Sequence, residues 1–209
     1  MAYYSIFPQK DTTIYSHPDR IKMNTGQDEV LEIIFNNGIT KANIELFSAE
    51  HKNLATILNI ETFAVSQSWN EGSGRFTNIP LTSNGSSWTY RDNDISKTQW
   101  TTSSFATATT GSINASGIAV GGGEWYTGSL FQGSQQFLRG DNMDVNLDVT
   151  SIVQKHSASL FVGQTYPTGI NNNGFIIKQP NVIEENTSSS FGEMQYFSTD
   201  THTIYPPKL

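Results

Sequence analysis

Asn59-Ile60-Glu61-Thr62-Phe63-Ala64-Val65-Ser66 alternates along its whole length. Ile60, Thr62, Ala64 and Ser66 fall on one side. Asn59, Glu61, Phe63 and Val65 fall on the other, which is the period of a β-strand. Phe63 and Val65 mark the second side as the core side near the strand's end. Residues 42–47, Ala-Asn-Ile-Glu-Leu-Phe, alternate small or apolar with polar residues in the same way.

Working outward, short apolar segments recur between turn residues. Residues 3–7 read as a strand stopped by Pro8, and residues 12–15 as an extended piece stopped by His17-Pro18. Asn24-Thr25-Gly26 reads as a turn, and Asn36-Asn37-Gly38 ends a further strand over 29–35. Downstream, residues 135–138 and 143–147 read as strands around an Arg139-Gly140-Asp141 turn. Residues 159–162, 174–178, 194–198 and 203–205 complete the set, and Pro206-Pro207 ends the regular structure.

One helix is predicted, over 149–156. Asp148 or Thr150 can cap it, and Val149, Ile152 and Val153 share a face. At two turns it must lean on the sheet to be stable.

Composition agrees with an all-β chain. Ser, Thr, Asn and Gly supply 81 of 209 residues, and only 15% are charged. Helical bundles and coiled coils need Leu, Ala, Glu and Lys at helical spacing, which this chain lacks. A net charge of -7 argues against a nucleic-acid binder that relies on a basic field. Aromatic content of 11% with little charge argues against disorder. There are no cysteines, so disulfides and Cys-based zinc sites are excluded. The start shows no basic stretch followed by a long apolar run, and no apolar run approaches membrane-spanning length. Release by cell lysis and ordinary cytoplasmic residence both suit such a start.

The length suits a single domain over 1–209. Within it, residues 66–134 are a loop-rich excursion, punctuated by Trp69, Trp88, Trp100 and Trp125. Buried tryptophans are the obvious way to pack such loops.

The candidate catalytic carboxylates are Glu71, Asp92, Asp94, Glu124, Asp141 and Asp144. Spacing alone does not pair any two at the separation a glycosidase needs. Glu71 reads as tying its Gly-rich turn through backbone N–H groups. Gly121-Gly122-Gly123 precedes Glu124-Trp125 rather than a helix, so it is a hinge or bulge. His17, His51, His156 and His202 share no ligand spacing. His17 sits at a turn, and His156 lies near a helix C-terminus, where a cation is favourable. No enzyme and no cofactor are expected. Calcium is the minority reading, through Asp92-Asn93-Asp94 or Asp141-Asn142-Met143-Asp144, neither of which fits the twelve-residue loop.

Three stretches together resemble a known family. The first is residues 7–15, Phe-Pro-Gln-Lys-Asp-Thr-Thr-Ile-Tyr, with Asn24-Thr25-Gly26-Gln27-Asp28. The second is Ser68-Trp69-Asn70-Glu71-Gly72-Ser73-Gly74-Arg75 with Gly85-Ser86-Ser87-Trp88. The third is Asp148-Val149-Thr150 with Asn173-Gly174-Phe175. Their order is similar to the DNRLRE-type domain, a β-sandwich related to some carbohydrate-binding modules. On that resemblance Asp11, Trp69, Glu71, Trp88 and Asp148 are structural motif residues, with Trp69 and Trp88 in the core. The ending, residues 196–207, resembles virion structural proteins of tailed phages, notably those of marine bacteria.

Two departures stand out. Between Phe35 and Ala42 there is no room for the Arg-containing strand usual in such domains. The chain also stops at Lys208-Leu209, where the phage proteins continue into one more strand. A segment absent from this sequence, or a strand from a partner chain, would account for either.

The expected fold is therefore a single jelly-roll β-sandwich with one short helix. The resemblance implies a non-enzymatic virion component of the neck, tail, baseplate or fibre region. It would bind other virion proteins in several symmetric copies, with no nucleic acid and no membrane as partner. The alternative is a carbohydrate-binding module on host surface glycans, with Trp100, Trp125 and Tyr126 as stacking rings. For Trp125 and Tyr126, core and interface are equally open. A polysaccharide depolymerase is the least favoured reading.

Overall fold

The computed structural model describes residues 11–17, 20–25, 39, 41–52, 54–73, 84–87, 89–95, 97–100, 123–158, 169–180, 193–199 and 203–209. In chain order the strands are β1 (Asp11–His17), β2 (Arg20–Thr25), β3 (Asn43–Leu46), β4 (Ser48–Lys52), β5 (Ile57–Ala64), β6 (Tyr90–Asp92), β7 (Thr98–Gln99), β8 (Gln132–Leu138) and β9 (Val145–Asp148). Helix α1 (Thr150–Ala158), β10 (Phe175–Lys178) and β11 (Glu193–Tyr196) follow. Among the described residues the fold is mostly strands, in several antiparallel sheets, with one short helix.

β5 lies in a five-stranded sheet of order β1-β2-β10-β5-β8. Its register puts Phe63 opposite Ile176 and Ala64 opposite Phe175, and Leu58 opposite Phe137 on the other side. Alternation then sorts the side chains. Leu58, Ile60, Ala64, Phe137, Phe175 and Ile177 enter the larger core. There they meet Ile44 and Leu46 of β3 and Val145 and Leu147 of β9, with Ile152 and Val153 of the helix. Burying each such aliphatic side chain contributes about 1.5–3 kcal/mol.

Phe63, Val65 and Ile176 point the other way, into a second core with Trp69, Trp100 and Trp125. Phe63 and Val65 are buried, as expected of a core side, and the opposite side of β5 is buried as well. The Ile60 side carries the larger core, and the Phe63 side is covered because loop tryptophans fold over it.

β8 and β9 run antiparallel from the Arg139-Gly140-Asp141 turn, yet join different sheets. Gln135 spans the gap. Its Oε1 accepts the Asn146 N–H at 2.7 Å and its Nε2 donates to the Asp144 carbonyl at 3.3 Å. Nearby, a Cβ on Gly133 would stand 2.5 Å from the Asp148 carbonyl oxygen, so only glycine fits this approach.

The helix starts at Thr150 and ends at Ala158, one residue later and two residues further than predicted. Asp148 Oδ1 accepts the Thr150 N–H at 3.0 Å. That bond holds the Asp148 carboxyl below its ordinary range. The Thr150 hydroxyl accepts the Ala42 N–H at 3.0 Å, and Val149 N–H donates to the Ala42 carbonyl, so the helix start extends the β3–β9 pairing.

Other expectations change as well. Asn24 and Thr25 lie in β2, paired with Thr12 and Asp11, because antiparallel partners on both sides hold them extended. Residues 203–205 form a bend, not a strand, as Tyr205 N–H turns back to the Thr203 hydroxyl. Regular pairing resumes after Pro206-Pro207, where Lys208 and Glu45 exchange both backbone bonds at 2.8 and 3.0 Å. β2, β4, β6 and β7 had no counterpart in the sequence reading. The strands expected over 3–7, 29–35 and 159–162 lie outside the described residues.

Candidate functional site

The second and third of the stretches quoted for the resemblance meet at Trp69. Its indole N–H donates to the Asn173 carbonyl at 2.9 Å, joining the second stretch to the third. Asn173 is itself buried, and its side-chain amide reaches the Val65 carbonyl at 3.4 Å. The third stretch joins the first through Phe175, which pairs with Thr25 of β2. Asp11 sits opposite the same Thr25 on β1.

The turn after Trp69 is built on Asn70. Its Oδ1 accepts the Gly72 N–H at 3.0 Å, its carbonyl accepts Ser86 N–H, and its own N–H donates to Arg91. Ser73 N–H goes to Asn84 Oδ1 at 2.9 Å. The Gly72 and Ser73 amides are thus held by asparagine side chains. Glu71 contributes its carbonyl oxygen at the crossing of the two loops, where a Cβ on Gly85 would stand only 2.0 Å away. Gly72 has φ +80°, a conformation glycine adopts without strain. Backbone therefore packs on backbone where the motif's two glycines cross.

Trp100 closes the next layer. Its indole N–H donates to the Ser87 carbonyl at 2.9 Å, and its backbone N–H to Thr89. It anchors the β6–β7 hairpin. Asp92 Oδ1 accepts the Asp94 N–H at 3.0 Å and the Asn70 amide at 3.4 Å, and Arg91 Nη1 donates to the Ser68 carbonyl at 2.8 Å. Lys97 N–H closes the tip onto Asp94 O. The tip carries Ile95, which is 96% exposed.

The three rings expected at a glycan or partner surface are all inside the chain. Trp100 and Trp125 belong to the second core, and Tyr126 to the larger one. Residues 124–126 run beside the end of β5, with Trp125 bridged to Val65 and Tyr126 N–H bonded to Ala64. Alternation sends Trp125 to one face and Tyr126 to the other. The Trp125 ring packs 5.8 Å from Phe63, with Lys178 Nζ 5.5 Å from its centroid. Tyr126 packs 5.3 Å from Phe131, and burial together with the Glu124 charge pushes its phenol pKa up. Of the two readings open for Trp125 and Tyr126, the chain's own packing gives the core. Trp88 lies outside the described residues.

The carboxylates are dispersed. Glu124 is buried beside Tyr126. Asp141 accepts the Leu138 N–H, and Asp144 accepts the Ser48 N–H, each at 2.8 Å. Asp92 and these two are thus engaged with backbone N–H groups, at the hairpin tip and at the ends of β8 and β4. No group of three or more metal-ligating side chains occurs among the described residues.

His17 ends β1 and pairs with Arg20, and His51 is exposed on β4. His156 is 2% exposed, so the expectation of a favourable surface cation at the helix end is corrected: burial drives its pKa down to about 4 and keeps it neutral. His202 lies outside the described residues.

Sequence reasoning missed Asn70, Gln135 and Asn173, which hold the loops and the strand corner. Short amide side chains among Gly and Ser are the signal for such turns, but their partners lie far along the chain. No family model, no curated protein and no solved structure matches this chain.

Proposed function

We propose that this chain is a non-enzymatic structural component of a tailed-phage virion. In that role it binds other virion proteins, in several symmetric copies, in the neck, tail, baseplate or fibre region. We further propose that its sheets form the two layers of a jelly-roll β-sandwich.

The observation that carries the reading is the braced β6–β7 hairpin. The motif's polar groups are spent on holding loops, and the result is a hydrogen-bonded hairpin offering an aliphatic side chain to solvent. Pre-ordering of this kind lowers the entropy cost of docking on another protein. Ile57 and Leu138, directly paired across β5 and β8, add an exposed apolar pair elsewhere. The resemblance to phage virion proteins supplies the setting.

Two measurements test this. Mass spectrometry of purified particles should find the chain in fixed proportion to other virion proteins; its absence would sink the proposal. A photo-crosslinking residue at position 95 should then join the chain to a virion protein. The glycan alternative rested on rings that lie inside the chain. Binding on a host-polysaccharide array, lost on substitution of an exposed ring such as Tyr205, would favour it instead.

A further inference from the structure

The last turn of helix α1 and the segment 169–174 form a continuous link between the two cores. Lys155, in that turn, accepts the Ile170 N–H on its carbonyl at 3.1 Å. Ile170 is buried in the larger core, and its neighbour Asn173 holds the Trp69 indole of the second. His156 sits at the junction. It is buried edge-on against Phe175, with ring centroids 5.7 Å apart at 84°, and the backbone of Ile170 and Asn171 offers it hydrogen bonds.

We propose that His156 is an acid-released latch: proton uptake by its imidazole frees the end of helix α1 and, through residues 169–174, loosens the hold on Trp69. A cation in this position faces an aromatic ring and apolar side chains, and opening returns it to water. Segment 169–174 contains no titratable side chain. On the helix, Lys155 Nζ lies over the Phe131 ring at 6.0 Å. On β10, Lys178 is on the opposite face, over Phe63 and Trp125. Tyr126 shares the larger core, with Glu124 beside it. None of these charges is a cause of the His156 shift, which comes from burial, opposed by the Ile170 and Asn171 backbone bonds.

The sign follows from linkage. The closed form takes its proton only near pH 4, whereas an exposed imidazole does so near 6.5. The stability of the closed form is complete above pH 6.5 and is lost as pH falls towards 4. The opening constant then rises about 100-fold between pH 7 and pH 4.

Hydrogen exchange on the whole chain, corrected for intrinsic rates, tests the latch. Protection of the helix α1 amides and of the Trp69 indole N–H should fall about 100-fold over that range, while β5 and β8 amides stay protected. His156→Phe should flatten the dependence. The proposal is overturned if the fall persists in His156→Phe, if no fall occurs, or if β5 and β8 open together with the helix. Should His156→Phe not fold, the wild-type imidazole decides by its own NMR titration. Protonation only below pH 5, together with helix opening, supports the latch; protonation near 6.5 in the closed fold overturns it.

Discussion

The two cores on either face of β5 are built differently. The larger is mainly aliphatic, with Tyr126, Phe137 and Phe175 among its members, and comes largely from strands whose alternation continues through β3, β5, β9 and β10. The smaller is aromatic. Its three tryptophans come from residues 69, 100 and 125, each on a loop or an isolated bridge, and each indole packs over residues the strands had already placed. A strand core is specified by period, whereas a loop core is specified by single large residues with a polar handle. In the second kind, one side chain fixes many residues of loop.

The largest effects should come from emptying each core in turn. Trp125→Ala should cost about 3–5 kcal/mol and Leu147→Ala about 2–5 kcal/mol in chemical denaturation. Their patterns should differ. Trp125→Ala should raise exchange at the Trp69 and Trp100 indole N–H groups well before the β5–β8 amides. Leu147→Ala should lower protection in both cores together. Identical patterns would mean the two cores are one cooperative unit.

A smaller effect is expected at the loop crossing. Gly85→Ala forces a Cβ into the Glu71 carbonyl and should cost about 1–3 kcal/mol, the usual range for overpacking. Thermal unfolding should register this, and the loss should centre on the second core. The smallest is Asp148→Ala, which removes the bond to the Thr150 N–H at the start of helix α1. A loss of about 1 kcal/mol is typical for a cap, measured by denaturant midpoint. This effect belongs to the larger core alone, so Gly85→Ala and Asp148→Ala should add when combined.

The same contrast explains what was legible in the sequence. β3, β5 and β10 follow from alternation and branched or aromatic residues, and the helix from its cap and the Val149, Ile152 and Val153 stripe. β4 is not legible in this way: four of its five residues are exposed, and it is held by pairing with β11 rather than by burial. β2 was hidden because Asn24 and Thr25 favour turns locally, and partners on both sides override that preference. The tryptophans marked the loop region as packed. Their sequence positions did not say which face of the sheet they cover, and so Trp100, Trp125 and Tyr126 read equally well as a surface. His156 misled for a related reason. A helix end suggests a solvated cation, and only the tertiary position of Phe175 and Ile170 makes it a buried neutral ring.

Gln135 has a consequence of another kind. Where β8 parts from β9, the Asn146 N–H and the Asp144 carbonyl face the space between the strands. Left open, such groups would offer a template to a foreign strand. One glutamine occupies both. Substituting it should matter less for the folding of a dilute single chain than for solubility when the chains are crowded.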